Sequence, residues 1–206
     1  MIDKLYYINL DKRKDRLEHL RNNVLPFISI PEDDKQKFVA FDHTHFDNVS
    51  QRAAGCSLSH LSIWKEAVKE EYDKILIIED DFEFVESPEI FNSVLETLQR
   101  IDFSICNLSY NNMSSLLPAN YEGFFRCNNV QTTSCYVANV KFLNLMIPIV
   151  EEATLRLMNK QPYHLNAIDQ VWKVFQNRAD WIVSKRLGKQ LCSVSDIERT
   201  KVNYGV

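Results

Sequence analysis

The sequence predicts an α/β domain in which helices cover both faces of a central sheet. Its 206 residues fit one domain, and 45% of them are hydrophobic, enough for a sizeable core. Short apolar segments typical of buried strands alternate with segments whose apolar residues recur every three or four positions, as in amphipathic helices. No repeat, low-complexity tract or change of composition marks a second domain. Residues 1–206 are therefore interpreted as a single α/β sandwich domain.

The first part of the chain begins this alternation. Residues 5–10 (LYYINL) suit a buried strand, and Asp11 can cap the amphipathic helix that follows. Residues 38–41 (FVAF) predict a second strand. The stretch from there to Gly55 is interpreted as a loop.

A helix and a central strand come next. Ser57 can cap a helix whose apolar residues recur at intervals of three and four. Residues 75–78 (ILII) form a continuous apolar run, typical of a strand covered on both faces. The run ends abruptly in three acidic residues, Glu79, Asp80 and Asp81, so these acids should lie at the carboxyl end of a central strand.

The second half continues the pattern. We predict, in order, a helix over residues 88–100, a strand over 103–107, a strand over 132–138, a helix beginning after Asn139, and a last helix over 165–175. Pro148 lies inside the fourth of these elements, and a proline there should kink or split the helix.

Composition excludes several functions. The net charge is −4 and the basic residues are scattered, which argues against a nucleic-acid partner. The five cysteines are odd in number and form no CxxC pair, so we expect reduced, mostly buried thiols. No apolar stretch reaches the length of a membrane span, and the first residues lack the apolar segment of a signal peptide. We therefore expect a cytoplasmic protein.

The acidic triplet is the strongest local signal for chemistry. Adjacent carboxylates repel one another unless solvent or a cation screens them, and a divalent metal would do so. Ligands of open α/β sheets also bind beyond the carboxyl ends of the strands. Side-chain alternation predicts that Glu79 and Asp81 point one way and Asp80 the other. We predict Asp80 and Asp81 as metal ligands with Glu79 in support; the alternative is a solvated acidic turn.

Three basic side chains, Arg13, Arg16 and His60, could accompany an anionic ligand. Arg13 and Arg16 follow the first strand, three residues apart on one helical face, where they could meet a phosphate or form a solvated face. His60 lies near the predicted helix start at Ser57, where free backbone N–H groups favour an anion such as a diphosphate. The alternative for His60 is a structural histidine.

Asp169 is a candidate for proton transfer. It lies at the border of the apolar stripe of the last predicted helix. Partial burial would raise its pKa and suit it to take a proton from a hydroxyl. The alternative is a carboxylate that accepts a hydrogen bond from a neighbouring loop.

Several of these segments, taken in order, carry a resemblance to a known family. They are residues 7–16 (YINLDKRKDR), 55–60 (GCSLSH) with Trp64 downstream, 77–81 (IIEDD), 132–136 (TTSCY), Asp169, and 195–197 (SDI). In this order and spacing they resemble glycosyltransferase family 25, which includes lipopolysaccharide-modifying enzymes and collagen galactosyltransferases.

The resemblance implies a fold and a reaction. The fold would be GT-A, a Rossmann-like nucleotide-sugar-binding sandwich with a mixed central sheet. The reaction would move a hexose, galactose or glucose, from a UDP-sugar to a glycan or protein hydroxyl, with inversion, with Mn²⁺ or Mg²⁺ as cofactor and Asp169 as catalytic base. Asp80 and Asp81 would hold the metal. The residues implied in donor binding are Asn9, Arg13, Arg16, Ser59, His60, Glu79, Asp80 and Thr133.

Two other interpretations of the acidic site stay open at this point. One is a non-catalytic relative that binds a nucleotide sugar or a glycan without transferring the sugar. The other is a phospho-receiver domain, which also places an acidic pair at a strand end, although this chain is long for one.

Overall fold

Helices and strands alternate along the chain in a computed structural model that describes residues 1–178 and 180–202. The strands and helices are, in chain order, β1 (Lys4–Asn9), α1 (Lys14–Asn23), β2 (Lys35–Val39), α2 (Val49–Lys69), β3 (Lys74–Glu79), β4 (Phe82–Phe84), α3 (Pro88–Arg100), β5 (Ile105–Asn112), β6 (Leu117–Pro118), β7 (Phe124–Arg126), β8 (Val130–Asn139), α4 (Val140–Met158), α5 (Tyr163–Asn166), α6 (Ile168–Val171), α7 (Lys173–Gln176), β9 (Trp181–Gln190), β10 (Ser193–Val194) and β11 (Lys201–Val202). Two short 3₁₀ turns, Leu25–Phe27 and Glu32–Asp34, connect α1 to β2.

Within the described ranges, nine strands form one mixed sheet. Its order is β2-β1-β3-β8-β5-β9-β7-β6, and β4 pairs with β9. The strands β2, β1 and β3 run parallel, whereas β8 is antiparallel to both of its neighbours, β3 and β5. The small hairpin β10–β11 lies outside this sheet. The expected α/β class with a mixed central sheet is confirmed.

The central strand β3 is covered on both faces, as its sequence predicts. Ile75 and Ile77 belong to the core that contains α2 and α4, where Trp64 and Trp172 are fully buried. The alternate residue Leu76 belongs to the core of the opposite face, together with residues of α1 and α3. Side chains of successive strand residues point to opposite faces, so a continuous apolar strand supplies both cores.

The start of α2 differs from the prediction. The helix begins eight residues before Ser57, at Val49, and its cap is Asn48, whose side chain accepts a hydrogen bond from the Ser50 backbone N–H. Gly55 is therefore helical and does not belong to a loop. A β-carbon at Gly55 would lie 2.7 Å from the Phe41 carbonyl oxygen, so the glycine lets the segment after β2 approach the helix closely.

Three other helical predictions need correction. The helix α1 begins at Lys14 after Arg13, and Asp11 does not cap it. The helix α4 continues through Pro148 as one element, so the expected split is wrong, and the neighbouring residues Met146 and Val150 are both buried. The expected last helix is divided into α5, α6 and α7, which are four residues each.

The strand β9 is the largest element that the sequence analysis missed. It spans ten residues, pairs parallel with β5, and also pairs with β7 and β4. The strand β2 was expected at residues 38–41 but begins at Lys35. Among the described residues, no helix combines the length and apolar character that crossing a bilayer requires.

Candidate active site

The acidic triplet lies where several strand ends meet. The strands β1 and β3 are parallel, with Ile8 paired to Glu79, and β8 runs the other way, with Ile78 paired to Cys135. The carboxyl ends of β1 and β3 therefore share one edge of the sheet with the amino end of β8. This geometry brings Asn9, the acidic triplet and Thr133 together from three separate parts of the chain.

A buried cluster of charge occupies this edge. Asp80 and Asp81 are each 7% exposed. Arg16 lies between them, with its Nη1 atom 2.9 Å from Asp80 Oδ1 and 3.4 Å from Asp81 Oδ2. The side-chain amide of Asn9 donates to Asp80 Oδ2 at 2.8 Å. One guanidinium thus faces two carboxylates, with the third, Glu79, directly before them in sequence.

The electrostatics of the cluster favour an additional cation. Burial, followed by the charge of Glu79, raises the pKa of Asp81 to about 7, even though Arg16 acts in the opposite direction. Burial also raises the pKa of Asp80. Within the described part of the chain, Asp81 Oδ1 is buried and has no hydrogen-bond partner. An unpartnered, buried carboxylate oxygen beside other acids is the donor set that a hard divalent cation prefers.

The expected alternation of the triplet is wrong. The strand ends at Glu79, so Asp80 and Asp81 lie in the following turn, where the two-residue period no longer applies. Asp80 and Asp81 both reach Arg16. Glu79 instead turns to His60, whose Nε2 atom lies 3.0 Å from Glu79 Oε1.

His60 is part of a buried hydrogen-bond chain. Trp64 Nε1 donates to the Tyr136 hydroxyl at 2.9 Å, and that hydroxyl lies 2.8 Å from His60 Nδ1. The Thr133 hydroxyl also donates to Glu79. Burial acts to raise the pKa of Glu79, but the hydrogen bond and charge of His60 together with the Thr133 hydrogen bond hold it below its ordinary value. His60 and Thr133 therefore hold the Glu79 carboxylate in place.

The physical reason given for His60 as an anion-binding residue is wrong. Because α2 begins at Val49, His60 lies in the middle of the helix, where the backbone N–H groups are already used. The side chain is fully buried and bridges Tyr136 to Glu79. It contributes to the site by orienting Glu79.

The C-terminal segment lies over the two arginines. Arg16 Nη2 donates to the Ser193 hydroxyl at 2.7 Å and to the Val194 carbonyl at 3.0 Å. Arg13 precedes α1 and lies 2.5 Å from Asp196, and it also pairs with Asp15. Arg13 and Arg16 therefore do not share a solvated helical face. Both bind the segment that leads through the β10–β11 hairpin.

These residues surround a first cleft. It is lined by residues of β1, α2 and the turn after β3, and by residues 190–197. Its lining includes all the residues predicted to bind the sugar donor or the metal, except Arg13 and Thr133. Ser59 is fully buried there, where its hydroxyl donates to the Gly55 carbonyl and accepts from the Phe41 N–H.

A second cleft adjoins the first. Its lining includes Ser57, Glu79, Thr132, Thr133, Asp169 and Gln190. Glu79, Cys56 and Gln190 line both clefts, so the two spaces meet beside the acidic triplet.

Asp169 lies in this second cleft, whose lining does not include Asp80 or Asp81. Burial raises its pKa, while a hydrogen bond from the Thr132 N–H at 3.2 Å acts in the opposite direction. Thr132 has a φ of 75°, a left-handed conformation that is rare for a β-branched residue. This strained residue also donates from its hydroxyl to Gln190 at 3.0 Å. Asp169 is thus a partly buried carboxylate that a backbone N–H holds in the second cleft.

Sequence reasoning missed several polar groups of the site. Gln190 donates to Asp81 Oδ2 at 3.4 Å from the end of β9. The Ser57 hydroxyl lines the second cleft, is buried, and finds no hydrogen-bond partner among residues 1–178 and 180–202. The apolar start of β9, Trp181-Ile-Val, is a strand signal that could have located Gln190. No local signal distinguishes Ser57.

Comparison with known proteins defines the class. The family described as "Glycosyltransferase family 25 (LPS biosynthesis protein)" matches residues 2–144, more than half of the chain. The chain therefore belongs to glycosyltransferase family 25.

Curated relatives agree with this assignment over a shorter region. Procollagen galactosyltransferase 2 of Mus musculus is 32% identical over a region that covers 40% of this chain and 16% of the relative. The same protein of Homo sapiens gives the same identity and coverage. The match thus spans about one-sixth of the length of these curated relatives.

Solved structures support the fold. A glycosyltransferase involved in the glycosylation of the major capsid of PBCV-1 is 13% identical, covers 97% of both chains and has a TM-score of 0.54. The mannose-1-phosphate geranyltransferase of Thermus thermophilus is 12% identical, covers 90% of this chain and 74% of the other, and has a TM-score of 0.52. The fold is the expected GT-A, Rossmann-like type.

Proposed function

We propose that the protein transfers a hexose from a UDP-sugar to a hydroxyl of a glycan or protein, with a divalent metal and with inversion at the sugar. Membership of family 25 supports a glycosyl transfer. The curated relatives are named as galactosyltransferases, which makes galactose the first donor to test, followed by glucose.

The observation that carries this proposal is the unpartnered, buried oxygen of Asp81. In the part of the chain that the structure describes, this oxygen has no hydrogen-bond donor, while burial and Glu79 raise the pKa of Asp81. Asp81 and Asp80 would hold Mn²⁺ or Mg²⁺, and Asn9 and Arg16 would orient Asp80. When bound, the cation would offset the charge that develops on the departing diphosphate.

Arg13 and Arg16 are suited to the donor's phosphates. Their partners in the C-terminal segment include the Asp196 carboxylate and the Val194 carbonyl, and a diphosphate offers the same kind of acceptor. The first cleft has a volume of about 130 Å³, whereas small-molecule sites usually measure roughly 300–1,000 Å³. We infer that the donor displaces the β10–β11 hairpin from the arginines when it binds.

The second cleft is suited to the acceptor. Its volume is about 410 Å³, within the range of roughly 300–1,000 Å³ that is usual for small-molecule sites. Asp169 lines this cleft, and burial raises its pKa, which makes the carboxylate a stronger base toward an acceptor hydroxyl. A base on the side of the sugar opposite the leaving diphosphate is what inversion requires.

The test compares Asp81→Asn with a matched exposed variant, Asp33→Asn. We would measure Mn²⁺-dependent hydrolysis and transfer with a panel of UDP-hexoses and glycan or peptide acceptors, with circular dichroism to establish folding. Asp81→Asn should lose metal-dependent donor turnover by about 10²-fold or more, on the order of one lost charge-stabilising group. Asp33→Asn should match the parent protein, because Asp33 is exposed and lies outside both clefts.

Two outcomes would contradict the proposal. Full metal-dependent turnover in folded Asp81→Asn would show that Asp81 is not a metal ligand. Tight donor binding by the parent protein without any turnover, across the acceptor panel, would favour a non-catalytic nucleotide-sugar-binding protein.

A further inference from the structure

A second set of metal-ligand side chains lies at the junction of the two clefts. Cys56 and His60 are four residues apart on α2, so they share one face of the helix, and Glu79 ends the adjacent strand β3. The Cys56 sulfur, a ring nitrogen of His60 and a carboxylate oxygen of Glu79 all lie within 4.8 Å of one another. The predicted hard-metal ligands Asp80 and Asp81 do not belong to this group.

The spacing suits a four-coordinate ion. His60 Nε2 and Glu79 Oε1 are 3.0 Å apart, and the other separations do not exceed 4.8 Å. Tetrahedral zinc has bonds of about 2.0–2.3 Å, which place its ligand atoms about 3.3–3.8 Å apart. Small side-chain rotations would therefore bring the three atoms to that distance.

The ligand types favour a soft ion over the hard one proposed above. A thiolate and an imidazole select zinc and similar transition metals, whereas Mn²⁺ and Mg²⁺ prefer oxygen. The two negative ligands, Cys56 and Glu79, would also neutralise a divalent charge. Of the five free cysteines, all in the described ranges, only Cys56 is part of such a group.

Partners of the ligands are already in position. The Tyr136 hydroxyl lies 2.8 Å from His60 Nδ1, so His60 can donate there and present Nε2 to an ion. The Thr133 hydroxyl donates to Glu79. Metal-bound histidines and carboxylates are commonly held by such outer hydrogen bonds. An ion would replace the hydrogen between His60 and Glu79 and leave the rest of the network intact.

We propose that Cys56, His60 and Glu79 form an inhibitory site for Zn²⁺ or a similarly soft divalent ion. On binding, the proton of the Cys56 thiol and the proton between His60 Nε2 and Glu79 both go to solvent, and Zn–S, Zn–N and Zn–O bonds form in their place, with no change of oxidation state. Cys56 and Glu79 line both clefts, so the fourth position of the ion opens where donor and acceptor would meet. A bound ion there would block transfer without touching Asp81.

The test uses Co²⁺ as a spectroscopic probe of the whole chain, followed by Zn²⁺ competition. Co²⁺ should produce a thiolate-to-cobalt charge-transfer band, and one equivalent of Zn²⁺ should remove it. Cys56→Ser should abolish the band and raise the Zn²⁺ dissociation constant by at least about 10–100-fold, the range seen when even outer partners are lost. Cys192→Ser is the matched control, because Cys192 is exposed and lies outside the group.

The readout does not depend on sugar transfer, so this site and the proposed function can fail separately. Asp81→Asn should keep the cobalt band even where turnover is lost. A band that persists in Cys56→Ser, or a folded parent protein that gives no band at saturating Co²⁺, would overturn the site. As a second measurement, Zn²⁺ should slow alkylation of Cys56 by iodoacetamide and leave Cys192 unaffected, and equal alkylation of Cys56 with and without Zn²⁺ would contradict it.

Discussion

The two clefts are built from different kinds of structure. The first cleft lies at the ends of β1 and β3 and beside the long helix α2, where each charged group has a fixed partner, such as Arg16 between Asp80 and Asp81. The second cleft is walled partly by α5 and α6, which are four residues each. Regular elements fix the geometry of the first, whereas short segments shape the second.

This difference between the clefts agrees with the separate roles proposed for them, donor binding in the first and acceptor binding in the second. The proposed metal and diphosphate chemistry needs preorganised charges, which the buried cluster around Asp81 would supply. Acceptor choice can vary with the lengths and sequences of short segments while the first cleft stays unchanged. The second cleft carries Asp169, so the proposed base and the proposed metal ligands belong to separate parts of the molecule.

Replacing the proposed base should have the largest effect. We expect Asp169→Asn to lower transfer by about 10²–10⁴-fold, the usual contribution of a general base, with little change in donor affinity. The separate measurement of kcat and donor binding by calorimetry checks this. If Asp169→Asn transferred the sugar at the parent rate, the second cleft would not contain the catalytic base, and the two clefts would not have the separate roles proposed for them.

The pH dependence sharpens the same prediction. As the proposed base, Asp169 would act only when ionised. Burial raises its pKa above the ordinary 3.8, so transfer should fall as the pH drops through the raised value. The unfolded chain releases this proton first, so the native state also loses stability as the pH rises between the two values. Asp169→Asn should remove both dependences, which pH profiles of activity and of urea unfolding would measure.

Removing a hydrogen bond from the chain that orients Glu79 should have the second-largest effect. Tyr136→Phe leaves Trp64 Nε1 and His60 Nδ1 without their shared partner in a fully buried place. We expect the free energy of unfolding to fall by about 1–3 kcal/mol, the cost of an unsatisfied buried group. Urea denaturation measures it, with Tyr7→Phe at a partly exposed tyrosine as control. An equal change in the free energy of unfolding of both variants would mean that the buried hydrogen-bond chain does not stabilise the fold.

A change at Gly55 tests the close packing of the first cleft. Alanine favours a helix by roughly 1 kcal/mol over glycine, but the new β-carbon would lie 2.7 Å from the Phe41 carbonyl oxygen and 3.0 Å from His43 Cβ. We expect a net loss of up to about 2 kcal/mol of stability, since overpacking usually costs about 1–3 kcal/mol and the helix preference offsets roughly 1 kcal/mol of it. Ser62→Ala on the same helix is the control, and thermal unfolding the measurement. A Gly55→Ala protein more stable than the parent would show that the segment after β2 can move away from the helix at little cost in free energy.

The C-terminal hairpin should give the smallest effect. The Arg13–Asp196 pair is partly exposed, so Asp196→Asn should cost no more than about 1 kcal/mol. We expect faster hydrogen exchange in residues 193–202 without donor and a change in donor affinity of only a few-fold. Asp180→Asn, which breaks the exposed pair with Arg126, is the control. Unchanged exchange in residues 193–202 would argue that Asp196 does not hold the hairpin down.

Much of the fold could be predicted because its strands are locally marked. The apolar run of β3 followed by three acids identified both the central strand and the acidic edge, and the structure has them in that order. The start of α2 was missed because residues 49–55 are mostly polar or small and lack an apolar repeat, although Asn48 is a good cap. The strand β9 was missed because charged residues interrupt its second half.

The sequence by itself determined the α/β class, the family-like order of motifs, and the presence of the acidic triplet in the same chain as Asn9, Arg16 and Asp169. Those features depend on local patterns that the chain carries at each position. Only the tertiary structure decided that Arg16 lies between Asp80 and Asp81, that His60 orients Glu79, and that Cys56 and Gln190 lie where two clefts meet. Strand register and helix start set these contacts, and both are fixed by packing between segments far apart in sequence.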